Sequence, residues 1–279
     1  MGNFRRLMRH NLGRIGFLTV FGLVALALLA PLVQSAESLR QDLSSSFQGP
    51  SAEHWLGTDQ VGRDLFARLV GALRTTLWMA GIGTTVALAV GVIVGLTAAY
   101  KGGVLEALVL RFLDVVLSVP NLVLALTIAV LMGAGTKAVI VALIVRAFPA
   151  FVRVAHSSTQ QVLAREFVAS AVVLGARPSY VLRSYVLSNI LPPAIVLFPV
   201  LLGQGVLIAA SLSFFGLGVQ PPESELGLLV AEGRRFIYLH PSLIWFPGIV
   251  LTVMNVGFSW LGSGLRESLD PIHHDRAAV

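Results

Sequence analysis

Between Thr75 and Tyr100 the chain runs for 26 residues without a single ionisable Asp, Glu, Lys, Arg or His. A helix of that length extends about 39 Å at roughly 1.5 Å per residue, more than the ~30 Å hydrocarbon core of a bilayer, so the segment can cross a membrane with tilt. Similar runs recur at Ile15–Val33, from Ala138 to about Ser157 (with Arg146 and Pro149 inside), from about Pro193 to Phe215, and at Leu243–Leu265. With 56% apolar and only 12% charged residues, too little charge remains to coat a soluble globule of 279 residues. The expectation is an all-α integral membrane protein.

The net charge of +6 could suggest nucleic acid, but the Arg residues sit at the ends of apolar runs and form no patch. Positive-inside anchoring against membrane lipid accounts for them, and no nucleic-acid partner is expected. The chain has no Cys, which excludes a disulfide framework and thiolate-bound metal. Arg5, Arg6, Arg9 and Arg14 precede the first apolar run without an acid among them. A cleaved signal peptide is the rival reading there, but 19 apolar residues exceed a usual signal core and suit a permanent anchor.

These boundaries give a basic segment 1–14, a first span 15–33, an extracytoplasmic segment 34–74, a transmembrane domain 75–265 and a tail 266–279. Within the domain, 158–191 is expected on the cytoplasmic side and 216–242 outside, and both termini in the cytoplasm. Leaving aside Arg146 inside a span, the 20 Lys and Arg residues then divide 12 inside to seven outside, the expected bias.

Gly81, Gly83, Gly91 and Gly95 predict one close-packed side of the second span. Lys101-Gly102-Gly103 predicts a turn, and Val104 to about Gly133 a helix kinked at Pro120. Arg111 and Asp114, three apart, can pair on one face of it. Candidates for lining a passage are Asn121 beside the kink, Gln204, Ser211, Ser213 and Asn255. Arg146, the one charge well within an apolar run, faces a watery cavity or takes a structural role.

Residues 165–193 are polar enough to leave the membrane. Ala169–Leu174 fit a short amphipathic helix, Gly175 a left-handed end, and Pro178 the first turn of a second helix. Such a projection, without a nucleophile, an acid pair or a metal cluster, is a docking element or a plain connector. Thr58 or Asp59 can cap a turn in the outer segment, and Arg63 with Asp64 can pair locally.

The 165–193 segment resembles the Glu-Ala-Ala loop of permease subunits in ATP-binding-cassette importers. Ala171, Gly175 and Leu187 match its pattern, whereas Ala169, Ser170, Tyr185 and Ser188 stand where the family usually has Glu, Ala, Ile and Pro; Glu166 lies one turn earlier. His54 to Asp59, Gly62-Arg63-Asp64 and Arg68 resemble the HPLGTD-x-x-GRD-x-x-SR signature of the C-type permeases of peptide and nickel importers, in which Gly57, Thr58, Asp59, Gly62, Arg63 and Asp64 fall. LSFFGLGVQPP at 212–222 with Glu232-Gly233-Arg234, and the segment Leu261–Pro271, resemble two further motifs of that family. The resemblance implies a type I importer permease fold, with an N-terminal anchor helix and a five-helix core, six transmembrane helices in all. It also implies a sister B-type permease, two ATPase subunits and an extracytoplasmic substrate-binding protein. Glu166, Ala169, Ala171, Val172, Val173, Leu174, Gly175, Arg177 and Pro178 would then couple this subunit to the ATPases in the bacterial inner membrane.

Neither Lys101 nor Lys137 follows a glycine, so no phosphate-cradling loop exists. No cofactor is expected on this chain, ATP and magnesium belonging to the partner subunits, and no catalytic or metal site is expected. The rival class is a secondary transporter or channel driven by an ion gradient, which would want buried acids near mid-membrane; only Glu106 and Asp114 stand near the spans, at one surface. Between peptide and nickel or a metal chelate as cargo, peptide is favoured, because no His or Cys is expected inside a span to ligate a bare ion.

Overall fold

The computed structural model describes residues 7, 8, 10–34 and 40–269. The basic residues Arg5, Arg6 and Arg9, the Asp270-Pro271 end of the last motif, and His273-His274 lie outside the described residues. Nine helices of eight or more residues organise the described residues: α1 (Asn11–Leu28), α2 (Leu65–Lys101), α3 (Gly103–Ser118), α4 (Asn121–Met132), α5 (Thr136–Leu163), α6 (Glu166–Val173), α7 (Leu187–Phe214), α8 (Leu226–Gly233) and α9 (Ser242–Leu269). A π-helical turn, Val181–Val186, leads into α7. Among the described residues five helical segments are long and apolar enough to cross a membrane, and α3 with α4 makes a sixth if the pair is one span.

That pair is broken, not kinked: α3 and α4 meet at 93°. The cause is local. A residue before proline is pushed out of the helical region, and Val119 is extended at ψ 129°; Pro120 is extended too, at ψ 133°, and Asn121 restarts the helix. Expectation and structure differ here because a proline within a packed helix only bends it, whereas two consecutive extended residues end it. The turn at Gly102 and Gly103 forms as expected, both residues with φ +62°.

The register between α2 and α5 decides whether the broken pair crosses. A Cβ built on Gly83 would lie 2.7 Å from the Leu143 Cβ, one on Gly91 2.7 Å from the Phe151 Cβ, and one on Gly95 2.8 Å from the Ala155 Cβ. Residue numbers rise together, so α2 and α5 run parallel. The chain must therefore return to its starting side between them, and α3–α4 carry it. Three of the four expected small residues make this contact, allowing backbone to approach backbone where lipid supplies no hydrophobic drive. Gly81 does not; nothing comes within 4 Å of its added Cβ.

Helix α9 runs antiparallel to α1, with Gly264 against Gly13 and Leu261 against Gly16, and antiparallel to α7, with Gly262 against Val200 and Gly203 against Phe258. The bundle therefore has two ends of fixed identity. The 40–64 segment and the 215–241 segment share one end, at the start of α2. Residues 164–186, following α5, project from the other.

The buried core is divided accordingly. Leu69, Ala72, Leu73, Val206, Leu226, Met254 and Phe258 form a cluster towards the first end, joining α2, α7, α8 and α9. Ala87, Val92, Phe151, Ala155, Val162, Val168, Val181 and Ile190 form another that reaches the second end, where Val168 holds α6 to the bundle.

Candidate functional site

Helix α6 and its exit form the helix, turn and helix expected from the sequence. Gly175 takes φ +83°, and its N–H donates to the Val172 carbonyl at 2.9 Å, while the Ala176 N–H donates to the Ala171 carbonyl at 3.0 Å. This double closure is the Schellman arrangement, which satisfies the last carbonyls of a helix through a left-handed residue. Pro178 opens the next turn after Arg177, whose extended backbone begins it. Only Val168 of α6 is buried. Val172 is 57% exposed, and Val173 and Leu174 are 86% exposed, so the tip of the projection is apolar and uncovered. Glu166, Ala169 and Arg177 are exposed around it, and Ala171 is half-buried.

The opposite end is built the other way. Asp59 is 1% exposed and fully satisfied: one oxygen accepts from the Val61 and Arg63 N–H groups at 2.9 and 3.0 Å, the other from Arg63 Nε and Arg68 Nη1, both at 2.7 Å. Arg68, 2% exposed, also donates to Glu232 at 2.8 Å, tying this segment to the end of α8 across 164 residues of sequence. The expected local pair is therefore corrected. Arg63 bonds Asp59 and not Asp64, because Asp64 is taken up capping α2, where it accepts from the Ala67 N–H at 2.7 Å and faces His54 Nδ1 at 2.9 Å. Thr58 accepts from the Gln48 N–H at 2.8 Å and bridges to Asp64. At Gly62, with φ +80°, an added Cβ would fall 1.9 Å from the Asp42 carbonyl oxygen; Gly57, with φ +79°, is similarly filled by the Gln48 carbonyl. The six motif residues thus make one sealed cap. Phe47 adds a second tie, its ring stacked 4.2 Å from that of His240.

The candidates for a passage separate. Ser213 is buried, and its hydroxyl accepts from the Val219 N–H at 3.3 Å, so it holds the chain after α7 and lines nothing. Gln204 accepts from Arg146 Nη2, and Arg146 Nη1 reaches the Leu201 carbonyl at 3.5 Å. Arg146 thereby takes the structural role, joining α5 to α7. Ser211 bonds its own helix at the Leu207 carbonyl, 2.7 Å away. Asn255 packs beside Gly203, and Asn121 is exposed at the start of α4.

Three pairings were not legible beforehand. Asp114 pairs with Arg153 of α5 at 2.8 Å, not with Arg111 on its own helix. Glu106 accepts from Gln160 at 2.9 Å and lies 2.7 Å from His156 Nε2. His156 therefore falls inside α5, where no histidine was expected; among the described residues no group of three His, Cys, Asp or Glu side chains gathers around it to hold an ion. Glu225 is fully buried, caps α8 through the Leu228 N–H at 3.1 Å, and accepts from Thr76 at 3.0 Å. Burial pushes its carboxyl above the ordinary 4.5, against the opposing effect of hydrogen bonds from Ser213, Thr76 and backbone N–H groups. The sequence signal for this residue was an acid immediately ahead of the apolar run 226–230, a helix-start pattern.

A parallel pair of spans, a broken span between them and a projecting helical turn make this a polytopic helical bundle with one end sealed and the other projecting. Residues 91–270 match the family described as binding-protein-dependent transport system inner membrane component, and the chain belongs to that family. It is 34% identical to the dipeptide transport system permease protein DppC of Alkalihalophilus pseudofirmus, over 96% of this chain and 88% of that one. It is 32% identical to the glutathione transport system permease protein GsiD of Pectobacterium atrosepticum, over 96% and 89%. Among solved structures it resembles an inward-facing MetNI methionine ABC transporter, with a TM-score of 0.60 at 19% identity, over 74% of this chain and 98% of that one, which establishes the type I fold. The protein is a multi-pass, non-catalytic permease subunit of an ABC importer, a class that works with a partner permease, an ATPase and a binding protein.

Proposed function

We propose that this chain forms half of the translocation pathway of an ATP-driven importer of di- or oligopeptides. It pairs with a sister B-type permease, and its Glu166–Pro178 projection inserts into a groove on one of two ATPase subunits. An extracytoplasmic protein delivers the peptide to the end capped by Asp59, Arg63, Arg68 and Glu232. The chain binds no cofactor itself; ATP and magnesium sit on the ATPases. Both termini and Gly175 face the cytoplasm, a reading supported by the excess of Arg and Lys at that end.

The observation that carries this reading is the pairing of a conformationally fixed turn with an apolar tip that none of the described residues covers. Burying Val172, Val173 and Leu174 in a partner would contribute about 1.5–3 kcal/mol for each large side chain. The peptide class rests on relatives named for dipeptide and glutathione transport.

The test is reconstitution with the three kinds of partner in proteoliposomes. Uptake of a dipeptide that requires both ATP and the binding protein is the expected result, with no hydrolysis by this chain alone. Uptake driven by an ion gradient without ATPase subunits would overturn it. Single cysteines at positions 54 and 175, introduced into this Cys-free chain, fix the orientation: an impermeant thiol reagent on intact cells should label 54 and spare 175.

A further inference from the structure

A cavity of about 750 Å³ opens at the capped end, beside the sealed cluster and not part of it. Its walls come from four parts of the chain: Arg74 and Trp78 on α2, Thr136 and Lys137 at the start of α5, Glu223 on the segment before α8, and Gln34 after α1. Arg74 and Trp78 are four apart and so share a helix face, and both are exposed. The size lies within the range of pockets that enclose small organic molecules.

Its electrostatics differ from those of the neighbouring cap. There, Arg63 and Arg68 are both committed to carboxylates. In the cavity, neither Arg74 nor Lys137 is ion-paired among the described residues, and Glu223 meets only the Thr136 hydroxyl, at 3.4 Å. Two unengaged cations and one nearly unengaged carboxylate therefore line one concave, partly aromatic surface. A guanidinium with a free fork and an ammonium suit a carboxylate, and a carboxylate suits an ammonium. A molecule with both charges at its two ends answers the whole lining.

We infer that this cavity is a binding site for a short peptide with free termini: Arg74 and Lys137 hold its C-terminal carboxylate, Glu223 holds its N-terminal ammonium, and Trp78 packs against the chain between. This inference rests on the proposed peptide transport. It goes beyond it in assigning to the permease a recognition step of its own, one that selects for unblocked termini after the delivering protein has released its load.

The experiment uses the assembled permease and ATPase complex, purified without the binding protein. Equilibrium binding of radiolabelled dialanine is measured in competition with unlabelled dialanine, dialanine amide and N-acetyl-dialanine. Saturable binding is expected, with the amide and the acetyl form each weaker by about tenfold or more, the scale of one charge-assisted hydrogen-bonded contact. Arg74→Gln should weaken dialanine by a similar factor and narrow its advantage over the amide, Lys137 keeping the remainder, while discrimination against the acetyl form stays as in the parent. Glu223→Gln should abolish discrimination against the acetyl form alone.

Absence of saturable binding up to about 10 mM, a weak affinity by any standard, would overturn the inference. Equal binding of all three ligands, or variants indistinguishable from the parent, would do the same. Loss of the sister permease from Arg74→Gln preparations, with dialanine binding intact, would instead make the cavity a contact between subunits. ATP-driven uptake by the parent complex with its binding protein is recorded in parallel. If uptake fails, the transport reading has failed; if uptake proceeds but no site is found, only this inference has.

Discussion

At one end of the bundle the charges of the 57–68 segment find their partners within the chain, while at the other Val172, Val173 and Leu174 project with none of the described residues over them. Asp59 has four donors and Arg68 two carboxylates, with Asp59 and Arg68 themselves buried. The helical turn around Gly175 has its backbone satisfied and its side chains unspent. The two regions therefore answer differently to the same kind of damage. A sealed charge cluster is a fold element, whose disruption costs stability. An apolar tip on a closed turn is an interface element, whose disruption costs assembly.

The largest expected effect lies in the cap. Arg68→Ala removes the more buried of the two guanidiniums that join Asp59 to Glu232, Arg63 remaining, so the cost should approach but not exceed that of a buried ion pair losing one partner outright, about 3–5 kcal/mol. The amount of this subunit in membranes, and the thermal midpoint of the purified complex, should both fall. A variant that accumulates and melts like the parent would show that the cap is not a fold element.

Next in size is Gly175→Val. A β-branched residue at φ +83° strains the turn by about 1–2 kcal/mol without meeting any neighbour, since the space around it is open. The thermal midpoint of the isolated subunit should move little, while coupling of ATP hydrolysis to uptake is lost. Ala169→Glu, on an exposed position of the same helix, should leave both intact. If Gly175→Val transports normally, the projection is a connector and the contrast between the two ends collapses.

The smallest effect sharpens the comparison by titration. Glu225 has its folded-state carboxyl raised above 4.5, so as pH rises from there the unfolded chain gives up this proton first. The folded state then holds more protons, and stability falls with rising pH through the window up to the raised value; the contribution is complete below 4.5. Glu225→Gln keeps an acceptor for the Leu228 N–H and removes the ionisation. Its thermal midpoint should match or exceed the parent's at about pH 8, with the difference shrinking toward about pH 5. An unchanged pH dependence would remove Glu225 from the account of the cap.

Much of the architecture was determined by the sequence alone, because apolar length and punctuation are local properties. The charge-free run 75–100 requires a span, Gly102-Gly103 a turn, and Gly175 followed by Pro178 a helix end and a restart, whatever surrounds them. The outer motif was equally visible as a string of residues. What it was for was not, since the partner that seals it, Glu232, lies far along the chain and charge pairing depends on distance in space. Asp114 with Arg153 and Arg146 with Gln204 were chosen by helix packing, and Arg63 turned to Asp59 because Asp64 caps α2. Only the tertiary structure separated Gly81, where an added Cβ would meet nothing, from Gly83, Gly91 and Gly95, which set the parallel register of α2 and α5. Composition places a small residue on a helix, but the face that meets another helix is fixed by the whole bundle.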